Sequence, residues 1–125
     1  MSNFLENEIL DHILRNSAYT PASTVFIGLS TGSFGDDNSG TELSGNGYTR
    51  KSIAFDAASG GVSDNTNNVD FDQATGSWGS VSHFGLFDAS TSGNLLIHGA
   101  FSAAKTVSTG DILRIAAGEL DITAA

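Results

Sequence analysis

The residues best suited to chemistry near neutral pH are three histidines, whose imidazoles titrate in that range and are common metal ligands. Two of them, His83 and His98, lie in "SVSHFGLFD" (Ser80 to Asp88) and "NLLIHGAFS" (Asn94 to Ser102), on either side of "ASTSG". A hairpin centred near Ser90 to Ser92 places the two rings roughly across from each other, which is half of a metal site. No third ligand stands nearby in sequence, so they read as rings packed by their apolar atoms and hydrogen-bonded locally. His12 falls on the polar side of an N-terminal helix. The acidic loops are the second candidate. "DDNSGTE" sets Asp36, Asn38 and Glu42 around Gly40, and "SDNTNNVDFD" adds Asp64, Asn65, Asn67, Asp70 and Asp72. Neither has the D-x-[DN]-x-[DN]-G-x5-E frame of a calcium loop, and both read as solvated turns. There is no P-loop GK[ST], and no G-x-S-x-G nucleophile elbow is expected. Carboxylates are numerous enough for a glycosidase-like pair to arise by chance. Trp78 with Tyr19 and Tyr48 could make a sugar platform, but an isolated Trp in a β-domain is more often core. The expectation is no enzyme, no catalytic residue, no cofactor and no metal.

Whatever site exists is positioned by the elements around it. The opening "NFLENEILDHILRN" is the one convincing helix, expected over residues 3–16. Asn3 and Glu6 form an N-x-x-E start, with Ser2 as the alternative cap. Asn16-Ser17 is a plausible stop, and Pro21 prevents continuation. Leu5, Ile9 and Ile13 recur at i, i+4 and i+8, flanked by Leu10 and Leu14. These five span about half the circumference. A helix this short is marginal alone, so the face needs a partner. The partner is either the chain's own sheet or another subunit, and the sequence leaves both open. Leu5, Ile9, Leu10, Ile13 and Leu14 are therefore the expected interface.

Everything after the helix is rich in Gly, Ser, Thr and Asn. "STVFIGLS" (Ser23 to Ser30) reads as a buried strand. "YTRKSIAF" (Tyr48 to Phe55) and "VDFD" (Val69 to Asp72) alternate, and the two segments around "ASTSG" form a hairpin. Lys105 to Val107, Ile112 to Ala117 and Glu119 to Thr123 close the chain. The polar segment Asp36 to Gly47 reads as a long loop and a candidate contact tip. Trp78, Phe84 and Phe87 belong to the β core. Seven or so short strands between turn signals predict a mainly β fold. The expected architecture is an antiparallel β-sandwich or barrel-like domain with one N-terminal α-helix. It forms a single domain over residues 1–125, with a β-rich body from 23 to 125.

Charge narrows the partners. The chain of 125 residues has 14 acidic against 5 basic side chains, a net charge of -9. Phosphate backbones would repel it, so no direct nucleic-acid binding is expected. No apolar run is long enough to span a membrane as a helix. The acidic N-terminus lacks the basic region of a signal peptide. There is no cysteine, hence no disulfide or thiolate chemistry.

Three stretches carry a resemblance: "NFLENEILDHILRNSAYTPASTVFIGLSTG", "GDDNSGTELSGNGYTRKSIAFDAASGG" and "TGSWGSVSHFGLFDASTSGNLLIHGAFSAAKTVSTGD". In order and spacing they resemble a family of small tailed-bacteriophage virion proteins. These are often described as tail fibre proteins, with capsid decoration, or cement, as the nearest functional alternative. The resemblance implies a non-enzymatic virion component and assigns no binding residue. Fibres usually carry repeats or long trimeric shafts, and no internal repeat appears here. The leading expectation is therefore a capsid decoration protein on the outer head surface, bridging capsomers. Its partners would be the major capsid protein and further copies of itself, as a homo-oligomer. The alternative is a tail or tail-fibre-associated protein that contacts tail proteins or the host surface.

Overall fold

A computed structural model describes residues 1–124. The elements run α1 (Asn3–Leu14), β1 (Val25–Ser30), β2 (Lys51–Ile53), β3 (Val62–Asp64), β4 (Val69–Asp70), β5 (Gly79–Phe87), β6 (Leu95–Val107), β7 (Arg114–Ile115) and β8 (Asp121–Thr123). Four strands form an antiparallel sheet in the order β2-β1-β5-β6. Two antiparallel ribbons, β3–β8 and β4–β7, stand apart from it. The fold is mainly β with one N-terminal helix, as the turn spacing predicts. The barrel-like alternative is corrected: β2 and β6 are the sheet's two edges and do not pair, so no closed barrel forms among the described residues. Closure would need two long edges to meet, and β2 has only three residues.

The helix stops two residues short of its expected end because Asn16 turns left-handed at φ 55°. The two segments expected after the central turn fuse into one strand, β6, with bulges opposite Val81/His83 and Leu86/Phe87. β3 overlaps the acidic stretch from Ser63 that is expected to be a solvated turn.

One face of the sheet carries the main core. Ile27 and Leu29 of β1 pair in register with Leu86 and Phe84 of β5, and all four are buried. Val69, Phe71, Trp78, Leu113, Ile115 and Leu120, from the ribbons and their connections, cover them as a discontinuous second layer. The other face is buried differently. Gly28 and Gly85 are register partners, and the hollow they leave admits larger groups. A Cβ on Gly28 would lie 2.7 Å from Glu42 Oε2; one on Gly85 would lie 2.9 Å from Leu95 Cδ1. Phe34, Phe87 and Leu95 form a second, smaller core there, with the rings of Phe34 and Phe87 edge to face at 5.6 Å.

The segment between β1 and β2 secures that second face. β2 covers β1 only as far as Ile27, so the Gly28–Ser30 stretch lacks a strand neighbour on that side. The loop supplies one. Leu43 N–H donates to Leu29 O (2.9 Å), Leu29 N–H to the Tyr48 hydroxyl (2.9 Å), and Ser30 Oγ to Thr41 O (2.6 Å). Arg50 locks the loop in place. Its guanidinium lies 3.6 Å over the Phe87 ring and forks onto Glu42 through Nε (2.9 Å) and Nη2 (2.7 Å). Its Nη1 donates to Ala89 O and Ser92 O in the β5–β6 turn. The Tyr48 hydroxyl also donates to Glu42, and burial, followed by that carboxylate, pushes the phenol's pKa up. The Arg50–Glu42 ion pair is largely buried, with side-chain exposures of 8% and 23%.

The β3–β8 ribbon sets two carboxylates face to face, since Asp64 and Asp121 are register partners. Asp64 Oδ1 is buried without a hydrogen-bond partner. Hydrogen bonding to Asp121, then desolvation, then the charges of Asp121 and Asp56 raise the Asp64 pKa.

Two predictions follow from these contacts. Arg50→Ala strands Glu42 in a mostly buried site and should cost roughly 3–5 kcal/mol in chemical denaturation; a loss below about 1 kcal/mol would show that the pair is dispensable. For Asp64, the unfolded chain releases its proton near 3.8 and the folded chain at a higher pH. Its contribution is therefore most favourable below 3.8 and is lost as pH rises through the raised value. The Tm of Asp64→Asn relative to the parent should climb across that window and stay higher at neutral pH. A pH-independent difference would refute the pairing.

Candidate functional site on the N-terminal helix

Ser2 starts the helix and also roots it. Its backbone is extended (φ -70°, ψ 161°), and its Oγ accepts from Leu5 N–H at 3.2 Å. The same hydroxyl donates to Leu95 O, and Ser2 N–H donates to Leu96 O at 2.8 Å. Asn3 N–H donates to Asp36 O at 2.8 Å. Ser2, not Asn3, is therefore the cap, and it is buried to 1% exposure because it caps the helix and pairs with the first residues of β6 at once. At the other end His12 Nδ1 lies 3.3 Å from Ser17 O and accepts from Tyr19 N–H, holding the outgoing chain.

The helix is thus fixed at its first turn, and its apolar face divides. Leu5 and Ile9 are half-buried, and Leu5 lines an apolar crevice of about 220 Å³ with Val25, Phe55, Leu86, Leu96, Ile97 and Ile122. Leu10, Ile13 and Leu14 are 54%, 69% and 74% exposed. The expected interface residues therefore do not all face one way. At about 100° per residue Leu5 and Leu14 point in opposite directions. The chain's own sheet takes the Leu5 side and leaves the other side open.

The other sequence candidates resolve into structural roles. His83 lies opposite Ala100, and His98 opposite Gly85. The two residues are thus offset by two positions along the hairpin, and the bulge at Leu96, which adds a residue to β6, contributes one of them. His98 Nε2 lies 2.7 Å from Asp36 Oδ1, and His83 Nδ1 2.7 Å from Ser82 Oγ. Trp78 is buried and its Nε1–H donates to Asn46 O (2.9 Å), so it forms no sugar platform. The Asp36–Gly47 segment is a buttress for the Phe34–Phe87 face more than a free tip. Contrary to the expectation that no G-x-S-x-G elbow is present, Gly28-Leu29-Ser30-Thr31-Gly32 has that spacing. Ser30 is buried, its hydroxyl is committed to Thr41 O and Gly32 N–H, and it has no imidazole partner. Asn65, fully buried, staples β3 to the Ala116–Leu120 turn through its side-chain amide and is another residue whose role lies in packing.

Electrostatics point the same way. All five Lys and Arg side chains are paired: Arg15 with Asp11, Arg50 with Glu42, Lys51 with Asp72, Lys105 with Glu119 and Arg114 with Asp70. No Lys or Arg side chain among the described residues is left over for a phosphate.

A β-rich scaffold with an exposed apolar helix face is the anatomy of a structural, contact-making protein. Over residues 1–123 the chain matches the family described as podophage GP4 fiber I protein gp80, and it belongs to that family of phage tail fibre proteins. No match was found among curated proteins. Membership overturns the expectation of a capsid decoration protein bridging capsomers on the head: the family is a fibre component of the virion. Acidity and a contact-making helix suit either location, and the lack of internal repeats pointed the wrong way. A fibre can gain its length from the number of its subunits, without repeats inside each one.

Proposed function

We propose that the chain is a non-enzymatic structural subunit of the virion fibre that works as one domain and assembles with further copies of itself through α1. The observation that carries this is the exposure of Leu10, Ile13 and Leu14 on a helix already anchored at its other end. Their i, i+3, i+4 spacing forms a continuous stripe suited to a second helix. Burying each is worth roughly 1–2 kcal/mol, enough for several copies to associate where one contact alone is weak. Leu5 and Ile9 sit at the inner margin, where the stripe meets the crevice. A second copy is favoured as occupant because fibres are built of repeated subunits and the stripe is narrow and helical.

Ile13→Asp tests this. The parent should sediment as an oligomer and the variant as a monomer. The variant's stability should stay within about 0.5 kcal/mol of the monomer value, as for a surface change. A parent that is monomeric at high concentration, or a variant that still assembles, would sink the proposal. Leu5→Asp, by contrast, should destabilise the fold itself, since it puts a charge against the apolar crevice.

A further inference from the structure

Gly45-Asn46-Gly47-Tyr48 is a tight turn closed by Tyr48 N–H, which donates to Gly45 O at 3.0 Å. Asn46 and Gly47 are exposed and sit left-handed at φ 54° and 81°, a conformation that favours Asn-Gly in such turns. Asn46 ties the turn to the segment before β5. Its carbonyl accepts from Trp78 Nε1–H (2.9 Å) and Thr75 N–H (3.0 Å), and its Nδ2 donates to Ser77 O (3.2 Å) in an exposed bond. The Gly47 N–H makes no hydrogen bond among the described residues. The peptide nitrogens after other asparagines are committed: Ser17 N–H donates to Asp11 O, Ser39 N–H to Asp37 Oδ1 and Thr66 N–H to Ala54 O. The one Asn-Gly step in the sequence thus joins a side-chain amide held by a single exposed bond to a free peptide nitrogen with no side chain to shield it.

We infer that Asn46 is a site of spontaneous deamidation, through which the subunit ages. The Gly47 nitrogen attacks Asn46 Cγ and closes a five-membered succinimide. The Cγ–Nδ2 bond breaks, and the Gly47 amide proton leaves with the side-chain nitrogen as ammonia. Water then adds to either imide carbonyl, and cleavage of that carbonyl's bond to the Gly47 nitrogen leaves aspartate or isoaspartate. Both products add a negative charge and remove the donor to Ser77 O. Isoaspartate also puts an extra carbon into the main chain of the turn, so the Gly45–Tyr48 bond loses its geometry. Tyr48 carries the effect inward: its hydroxyl accepts from Leu29 N–H and donates to Glu42, and its ring packs edge to face on Trp78. The inference goes beyond the assembly role and does not depend on it.

The test incubates the folded full chain at neutral and at mildly alkaline pH, with peptide mapping by mass spectrometry and enzymatic methylation of isoaspartate as readouts. Isoaspartate at position 46 should exceed that at all other asparagines together. It should form faster at the alkaline pH, because the attacking nitrogen must lose its proton. The fluorescence of Trp78, the single tryptophan, should change in step with it. Asn46→Gln, which must close a less favourable six-membered ring, should show neither change. A folded chain that stays intact at position 46 while the urea-unfolded chain converts would overturn the inference, since the turn would then protect the site. So would conversion led by another asparagine, or a fluorescence drift that persists in Asn46→Gln.

Discussion

The Arg50 guanidinium, sandwiched between Phe87 and Glu42, is the constraint on which the rest of the structure depends. It connects three things distant in sequence: the loop after β1, the aromatic on the second face of the sheet and the turn between β5 and β6. A bidentate carboxylate, two carbonyls and an aromatic face use nearly all that a guanidinium offers, and Lys could not reproduce that fork. The consequence reaches the N-terminus. The loop held by Arg50 carries Asp36, whose carbonyl receives Asn3 N–H and whose carboxylate meets His98. The helix therefore takes its direction from a loop that is itself fixed by a buried ion pair.

That direction explains the divided helix. A stripe covering half a helix is wider than one flat sheet can cover. Anchoring through Ser2 and Leu5 leaves Leu10, Ile13 and Leu14 facing out, and the geometry that stabilises the subunit is what exposes its contact surface. Under the proposed assembly, fold and association would use opposite sides of the same twelve residues.

Much of this was legible in the sequence because it is periodic. The helix, β1 and β5 are long enough for their pattern to show, but the ends of α1 were less legible: Ser2, the alternative cap, starts it, and it stops at Leu14 before Asn16. The register of the hairpin was not legible, since the two-position offset between His83 and His98 depends on the turn together with a bulge at Leu96. The second core was hidden too. Gly28 and Gly85 look like weak points in strands until their pairing turns them into a hollow for Glu42, Phe34 and Phe87. β3 is short and half-polar and resembles a turn. The apolar stripe of α1 was legible, but not which half of it stays exposed. That depends on where Asp36 and Leu96 sit in space. Head and fibre could not be told apart by physical reasoning, because both demand a soluble acidic module with a sticky face.

The complete internal pairing of the five cations has a consequence for the medium in which the fibre forms. Eight carboxylates outside those pairs and the His98–Asp36 contact leave each subunit with an uncompensated negative field, and no positive patch on a neighbour can neutralise it. Copies brought together through a few apolar side chains must do so against this mutual repulsion. Its reach shrinks from about 30 Å at 0.01 M salt to about 8 Å at physiological ionic strength. If copies associate as proposed, ionic strength would gate that association far more than it affects the largely buried Arg50–Glu42 pair inside each subunit.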